Sequence, residues 1–316
     1  MLLIAGYAKA GDLPSFDDFL QIDRMRRLTG QMQTAELLKV TRMDPELIEC
    51  VVEQGTNDAV VAWGAAELMS DWPQRRAMFE KALELTSNSV PIALRFACAA
   101  ARQRDYDLAL QWAEFCKAKD ADNLVPWLVE SWVLVERQQR QQLAQALPDW
   151  VRNYRDYTVV ACQMRIRVLE QAGYSAYSAR RLGFKPDSDA LLMASELCRS
   201  PVEEMLRKLL RQTAESLERH RQFLVNELVG QTIERTLFAS RTDDEALVRK
   251  DSIAARREQI RQQLVDMERN VVEFASESQM VKYFDDVLAL GEEEAMRKLA
   301  GVVRKSAPPV SAPTGN

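Results

Sequence analysis

Small and apolar residues return along the first two thirds of the chain at a fixed interval. Ala93, Phe96, Ala97 and Ala100 are followed by Ala109, Ala113 and Cys116, and steps of three and four within each set place them on one face of each of two consecutive helices. Ala59 stands 34 residues before Ala93 and opens a matching set with Ala62, Trp63 and Ala66. Trp127 stands 34 residues after it, with Ser131 and Leu134, and one more step reaches Ala161, Met164 and Val168. A period of this length predicts stacked helix pairs, each covering its apolar face with its neighbour. The small residues mark where two helix axes come close, while Phe, Trp and Leu fill the space around them. The fold class is therefore all-α.

Punctuation residues divide the pattern into elements. Residues 15–29 and 31–42 read as two amphipathic helices separated by Thr29-Gly30. Asp44-Pro45 opens a helix, with Asp as N-cap and Pro in its first turn, and Gly55 ends it. Asp71-Trp72-Pro73 turns the chain into the next helix. From residue 200 the character changes. Ser200-Pro201-Val202-Glu203 has the form of a capping box and opens a helical pattern to about Phe238, interrupted by Gly230. Thr242-Asp243-Asp244-Glu245 repeats the signature. Along the helix that follows, Ile253, Ile260, Leu264, Met267, Val271 and Phe274 form a heptad seam broken by Arg257. Ala214, Leu217, Leu224 and Leu228 supply a comparable stripe upstream. The expectation is a long antiparallel hairpin turning near Ala239–Thr242, followed by short helices at Gln279–Leu290 and Glu292–Val303. Three regions result: a repeat array over 1–199 with its best units at 56–155, the hairpin and short helices over 200–304, and a Pro/Ser/Ala-rich, disordered tail over 305–316.

Composition narrows the function classes. The 316 residues hold 11 Gly and 11 Pro, and 47% of them are apolar, as suits an all-α chain with a substantial core. A net charge of −5 without a basic block disfavours nucleic acid, whose phosphates need a Lys/Arg face. Cys50, Cys98, Cys116, Cys162 and Cys198 are widely spaced with no CxxC pair, which reads as buried thiols in a reducing compartment rather than a metal site. No apolar run is long enough to span a bilayer. The first ten residues read either as a helix, Leu2 to Ala10, or as a truncated signal peptide ending Ala8-Lys9-Ala10. The first reading implies a cytoplasmic protein and the second an exported one.

Residues 77–85, Ala77-Met78-Phe79-Glu80-Lys81-Ala82-Leu83-Glu84-Leu85, resemble the second helix of a tetratricopeptide repeat. Ala93 to Asn123 resembles a whole repeat, with Arg104-Asp105-Tyr106-Asp107 as its inter-helix turn. The resemblance is good over 56–123, fair to about 155 and weak from 156 to 199. It implies an α-solenoid whose first helices line a concave groove. That groove would present Val60 and Gly64, then Leu94, Cys98 and Arg102, then Leu128, Trp132 and Glu136, then Cys162 and Ile166. The basic and amide residues with which some family members clamp a terminal carboxylate are not at these places. An apolar helix or extended segment suits such a surface, unless the chain's own later helices fill it.

Candidate chemistry is sparse. His220 is the single histidine, which removes most nucleophile pairs and any multi-His metal site. Asp17-Asp18, Asp243-Asp244, Asp285-Asp286 and Glu292-Glu293-Glu294 are carboxylate pairs, and those at helix starts read as capping charge. No cofactor motif occurs. The leading expectation is a non-enzymatic interaction scaffold with a protein or peptide partner, gripping it through Leu94, Arg102, Leu128, Trp132 and Glu136, and self-associating through the hairpin seam. On that reading Trp132→Ala weakens partner binding without changing the melting of the fold. Two alternatives stay open: an RNA-binding helical-repeat protein, since Gly6-Tyr7-Ala8-Lys9-Ala10-Gly11-Asp12 is similar to the helix-turn of pentatricopeptide repeats, and an enzyme using carboxylates in a cleft.

Overall fold

The computed structural model describes residues 13–19, 21, 44–55, 57–144, 148, 150–186, 188–199, 204–219, 222–239, 243–267 and 274–306. Expectations for residues 1–12 and 22–43, for His220, the Ser200–Glu203 box, Thr242 and Val271, and for the tail from 307 lie outside these residues. Among the described residues the fold is all-α with no β-strand, and an isolated parallel bridge pairs Asn123 with Asn153.

The helix starts follow the local chemistry. α1 (Pro45–Gln54) is capped by Asp44, whose carboxylate accepts the Glu46 amide, and ends at Gly55. α2 (Ala59–Leu68) and α3 (Trp72–Leu85) are capped in the same way by Asp58 and Asp71. α4 (Val90–Arg102) and α5 (Tyr106–Lys119) are joined by a tight turn in which Arg104 takes φ +64°. α6 (Val125–Glu136) lies against α4 and α5. Ala93, Ala97, Ala100, Ala109 and Cys116 are all fully buried, and Ala113 nearly so. The periodic small residues are thus the contact points the pattern predicted.

Beyond α6 the structure departs from a simple continuation. Among the described residues the third pair shows no second α-helix. A 3-10 turn (Arg140–Ala144) and an extended stretch take its place, pinned where the Asn123 side chain bonds both the amide and the carbonyl of Arg155. The fourth step, α7 (Thr158–Gln171), folds on α8 (Ala176–Gly183), but its main partner is α2 rather than α6. Gly64 makes that approach possible: a Cβ there would stand 2.5 Å from both the Met164 carbonyl oxygen and Val168 Cγ2. A repeat period fixes the spacing of helices along the chain, not which helix the next one meets. Here α7 returns to α2, and α9 (Asp189–Leu197) packs against α4 and α6.

The expected long hairpin is also rearranged. The pattern over 204–238 is two helices, α10 (Glu204–Arg219) and α11 (Leu224–Leu237), and these two fold on each other. The chain turns back between Arg219 and Leu224, and the expected turn near Ala239–Thr242 lies largely outside the described residues. Gly230 marks the point of closest approach, where a Cβ would meet the Ala214 carbonyl at 3.1 Å. The Leu224 amide is capped across the molecule by Glu292 Oε2 at 2.8 Å, a cap no local sequence pattern announces. α12 (Asp244–Met267) lies on α11. Of the predicted seam, Ile253, Ile260 and Met267 are buried, in line with Ala246, while Leu264 and Phe274 are exposed. One stripe is therefore covered and the second is not, because α12 meets its neighbour along a single line. Arg249 flanks that line by pairing with Glu218 and Glu234, and Arg256 by pairing with Glu227. α13 (Glu277–Leu290) opens with a full capping box on Ser276 and Gln279, and α14 (Glu292–Ser306) folds against it. Their apolar faces share a core with Phe19, Tyr177, Leu224, Ile260 and Met267, so the packing continues across residue 200 and takes in part of the seam.

Gly64→Ala drives a methyl group into backbone on α7 and is expected to destabilise the fold by about 1–3 kcal/mol. Gly301→Ala, in α14 with nothing within 4 Å of the added Cβ, is expected to stabilise it by up to about 1 kcal/mol. Urea unfolding of both variants checks this; an unchanged midpoint for Gly64→Ala would mean that α2 and α7 do not touch.

Candidate binding site on the inner helix face

The residues predicted to line an open groove are mostly covered. Leu94 and Leu128 are fully buried, and α9 lies over α4 and α6 with Leu191, Met193, Ala194 and Leu197 turned into the same core. Trp132 is 6% exposed, and its indole donates to Glu196 Oε2 at 2.9 Å. Arg102 Nη1 donates to both oxygens of Glu196, at 2.8 and 2.7 Å, and its guanidinium lies over the Trp132 ring. Glu136 is exposed at the end of α6 and joins none of this. Arg102 and Trp132 are therefore a latch for α9. Truncating Trp132 removes its contacts to Glu196 and Arg102, so a loss of stability is expected beside any effect on binding. The occupant is the chain's own helix, drawn from just before residue 200 rather than from the C-terminal region.

What remains open on the inner face is polar. Glu67 on α2 is paired bidentately with Arg95 on α4, through Nε to Oε1 and Nη2 to Oε2, both at 2.7 Å. Arg165 on α7 reaches Glu67 Oε2 at 3.4 Å, and the Trp63 indole donates to Oε1. All three charged side chains are buried, at 1%, 6% and 2% exposure for Glu67, Arg95 and Arg165. Burial alone pushes the Glu67 carboxyl up; Arg95, then Arg165 and Arg75, outweigh it and hold the group at about 2. Arg165 is fixed further by donating to the carbonyls of Gly183 and Lys185 and to Cys162 Sγ.

This network forms one wall of a cavity of about 340 Å³ between α2, α3, α4, α7 and α9. Arg75 on α3, Lys185 after α8, and Asp189 and Leu192 on α9 complete its charged and apolar rim. Arg75 Nε is held by the Ala66 carbonyl, and its Nη2 faces Asp189 at 3.9 Å. Sequence reasoning passed over these residues because mixed charges along a helix usually mark a solvated exterior. A signal was present nonetheless. Glu67 is the lone charge in α2, and Arg95 stands alone among apolar residues until Arg102, and a solitary charge on an otherwise apolar helix is buried with a partner.

The other candidates resolve into structural roles. Cys98, Cys116, Cys162 and Cys198 are buried free thiols, and burial pushes Cys116 and Cys198 up to about 12. Asp243 accepts the Ala246 amide as a cap, Asp285 pairs with Arg180, and Glu293 with Arg256. Among the described residues no cluster of His, Cys, Asp and Glu is arranged to hold a metal, and no helix is long and apolar enough to cross a membrane.

Glu67→Gln leaves two buried guanidinium groups without a counter-charge and is expected to cost about 3–5 kcal/mol. Glu114→Gln, at an exposed pair with Lys117, is expected to change stability by about 0.5 kcal/mol or less. The folded Glu67 carboxyl lies below its ordinary 4.5, so its contribution is complete above that value and is lost as pH falls towards about 2. The gap between wild type and Glu67→Gln, measured by urea unfolding across this range, should narrow with acidification; a constant gap would rule out the ionised pair.

Comparison of the chain with protein-family models, curated proteins and solved structures returns no match.

Proposed function

We propose that this protein is a non-enzymatic interaction scaffold built on tetratricopeptide-like helix pairs, and that it grips a protein partner at the open, charged end of its inner face. The repeat reading is supported by the 34-residue spacing of Ala59, Ala93, Trp127 and Ala161 and by the pairing of α2 with α3 and of α4 with α5. The observation that carries the functional reading is the seating of α9. The inner face of α4 and α6 already holds a helix through buried Leu191, Ala194 and Leu197 and a charged latch at Glu196, which is the helix-in-groove mode of recognition turned inward. The apolar part of the face is thereby occupied, and partner contact falls to the cavity beside it. There an exposed Leu192 and the Lys185 ammonium stand at the rim.

A photocrosslinking residue placed at Leu192 should yield discrete protein adducts in the native host. The same residue at Glu114, exposed on the outer helix α5, should not, and Lys185→Glu should suppress the Leu192 adducts. Identical adducts from both positions, or none from Leu192, would remove the scaffold reading.

A further inference from the structure

We propose that the cavity between α2, α4, α7 and α9 is a receptor for a phosphate monoester carried by the protein partner, an inference that rests on the scaffold reading above. The first argument is charge. The cavity is lined by four cations, Arg75, Arg95, Arg165 and Lys185, and by two carboxylates, Glu67 and Asp189. The formal excess is two positive charges in a site whose deepest members are almost wholly buried. A phosphate monoester carries about −1.5 to −2 at neutral pH, which matches that excess; a carboxylate supplies half of it.

The second argument is the supply of donors. Glu67 is saturated by Arg95, Arg165 and Trp63, and Arg165 spends its guanidinium on Glu67, Cys162 and two carbonyls. Arg95 uses only Nε and Nη2 in its fork, and Arg75 uses only Nε. Among the described residues, Arg95 Nη1, both terminal nitrogens of Arg75 and the Lys185 ammonium take no hydrogen-bond partner. Asp189 stands too far from Arg75, at 3.9 Å, for a direct hydrogen bond. These donors come from α4, α3 and the segment after α8, so each can address a different oxygen. A tetrahedral anion with three free oxygens fits donors spread over several directions, whereas a planar carboxylate offers two. Guanidinium is also weakly hydrated and suited to paired recognition of phosphate.

The third argument is placement. α9 begins at the cavity with Ser188 as N-cap and Asp189 in its first turn, so the positive end of its dipole adds to the same field. The volume of about 340 Å³ accommodates a phosphate with several waters at about 30 Å³ each. Asp189 is the one carboxylate on the rim that a bound phosphate must oppose, which gives the proposal a variant of opposite sign.

The test uses the full-length protein at constant ionic strength. Isothermal titration compares a short phosphoserine peptide, its unphosphorylated form, inorganic phosphate and acetate. The expected result is saturable binding of the phosphopeptide, weaker binding of inorganic phosphate, and no binding of acetate or the unmodified peptide. Arg75→Gln and Lys185→Gln, neither of which removes a hydrogen bond to Glu67, should each weaken binding at least tenfold, while Asp189→Asn should tighten it. Circular dichroism of each variant verifies the fold. Acetate binding as tightly as phosphate, or affinities indifferent to Arg75 and Lys185, overturns the proposal. Inorganic phosphate binding as tightly as the phosphopeptide overturns the assignment to a partner's phosphate. Leu192 adducts that survive phosphatase treatment of the host extract leave the scaffold standing and sink the phosphate site. Arg75-dependent phosphate binding without any Leu192 adduct does the reverse.

Discussion

One buried carboxylate ties together the helices on which the inner face is built. Glu67 on α2 answers Arg95 on α4 and Arg165 on α7, and none of the three can reach water freely. Removing ions from water costs several kcal/mol each, so the cluster contributes little against a well-packed apolar alternative. Its consequence is selective. A packing that took α7 away from α2 would strand Arg165 in an apolar interior, and one that displaced α4 would leave Glu67 without its bidentate partner. Gly64, one turn earlier on α2, permits the close approach that the ion pair then fixes. Sterics and charge act at neighbouring points of the same contact.

That closure decides what the repeat face can do. Periodic helix pairs generate a continuous apolar surface on their inner side, which has to be covered. In this chain α9 covers most of it, with Leu191, Ala194 and Leu197 in the core and Glu196 held by Arg102 and Trp132. The remaining opening is bounded by charged side chains whose positions were set during folding. The C-terminal helices close the other flank by a similar exchange: Glu292 caps the start of α11, and Gln222 caps the end of α13 through the Val287 and Leu288 carbonyls.

Much of this was legible in the sequence, and the limits have physical causes. The small residues from Ala59 to Cys116 gave the helices and their mutual contacts, because close packing leaves a periodic mark on each strip of chain. Asp44-Pro45 and Asp71 were readable because caps and turns are local chemistry. The return of α7 to α2 was not, since a period carries no record of which surface a helix meets. The turn between α10 and α11 was hidden for a related reason. Its cap is supplied by Glu292, 68 residues away from Leu224, and no Gly or Pro marks the spot. In α12 the heptad gave one buried stripe correctly, while Leu264 and Phe274 show that a second stripe finds a partner only if the architecture provides one. Leu94, Leu128 and Trp132 lie buried beneath α9, and whether their face was filled depended on that helix, which no local pattern records. The charged cavity was not legible from the groove positions alone, although Glu67 and Arg95 each stand alone among apolar neighbours.

The cavity and the closure of the array are a single physical event. Arg165 reaches the site only because α7 lies against α2, and the segment carrying Lys185 is positioned by the carbonyls that Arg165 holds at Gly183 and Lys185. Arg75 is steadied by the Ala66 carbonyl one residue before Glu67. Arg75 and Arg165 are thus anchored by backbone carbonyls and Arg95 by the Glu67 carboxylate, so the entropy of ordering these three side chains is spent in folding rather than in binding. On the phosphate proposal, selectivity would follow from the charge excess and the spread of donor directions, and loosening α7 from α2 would dissolve both at once.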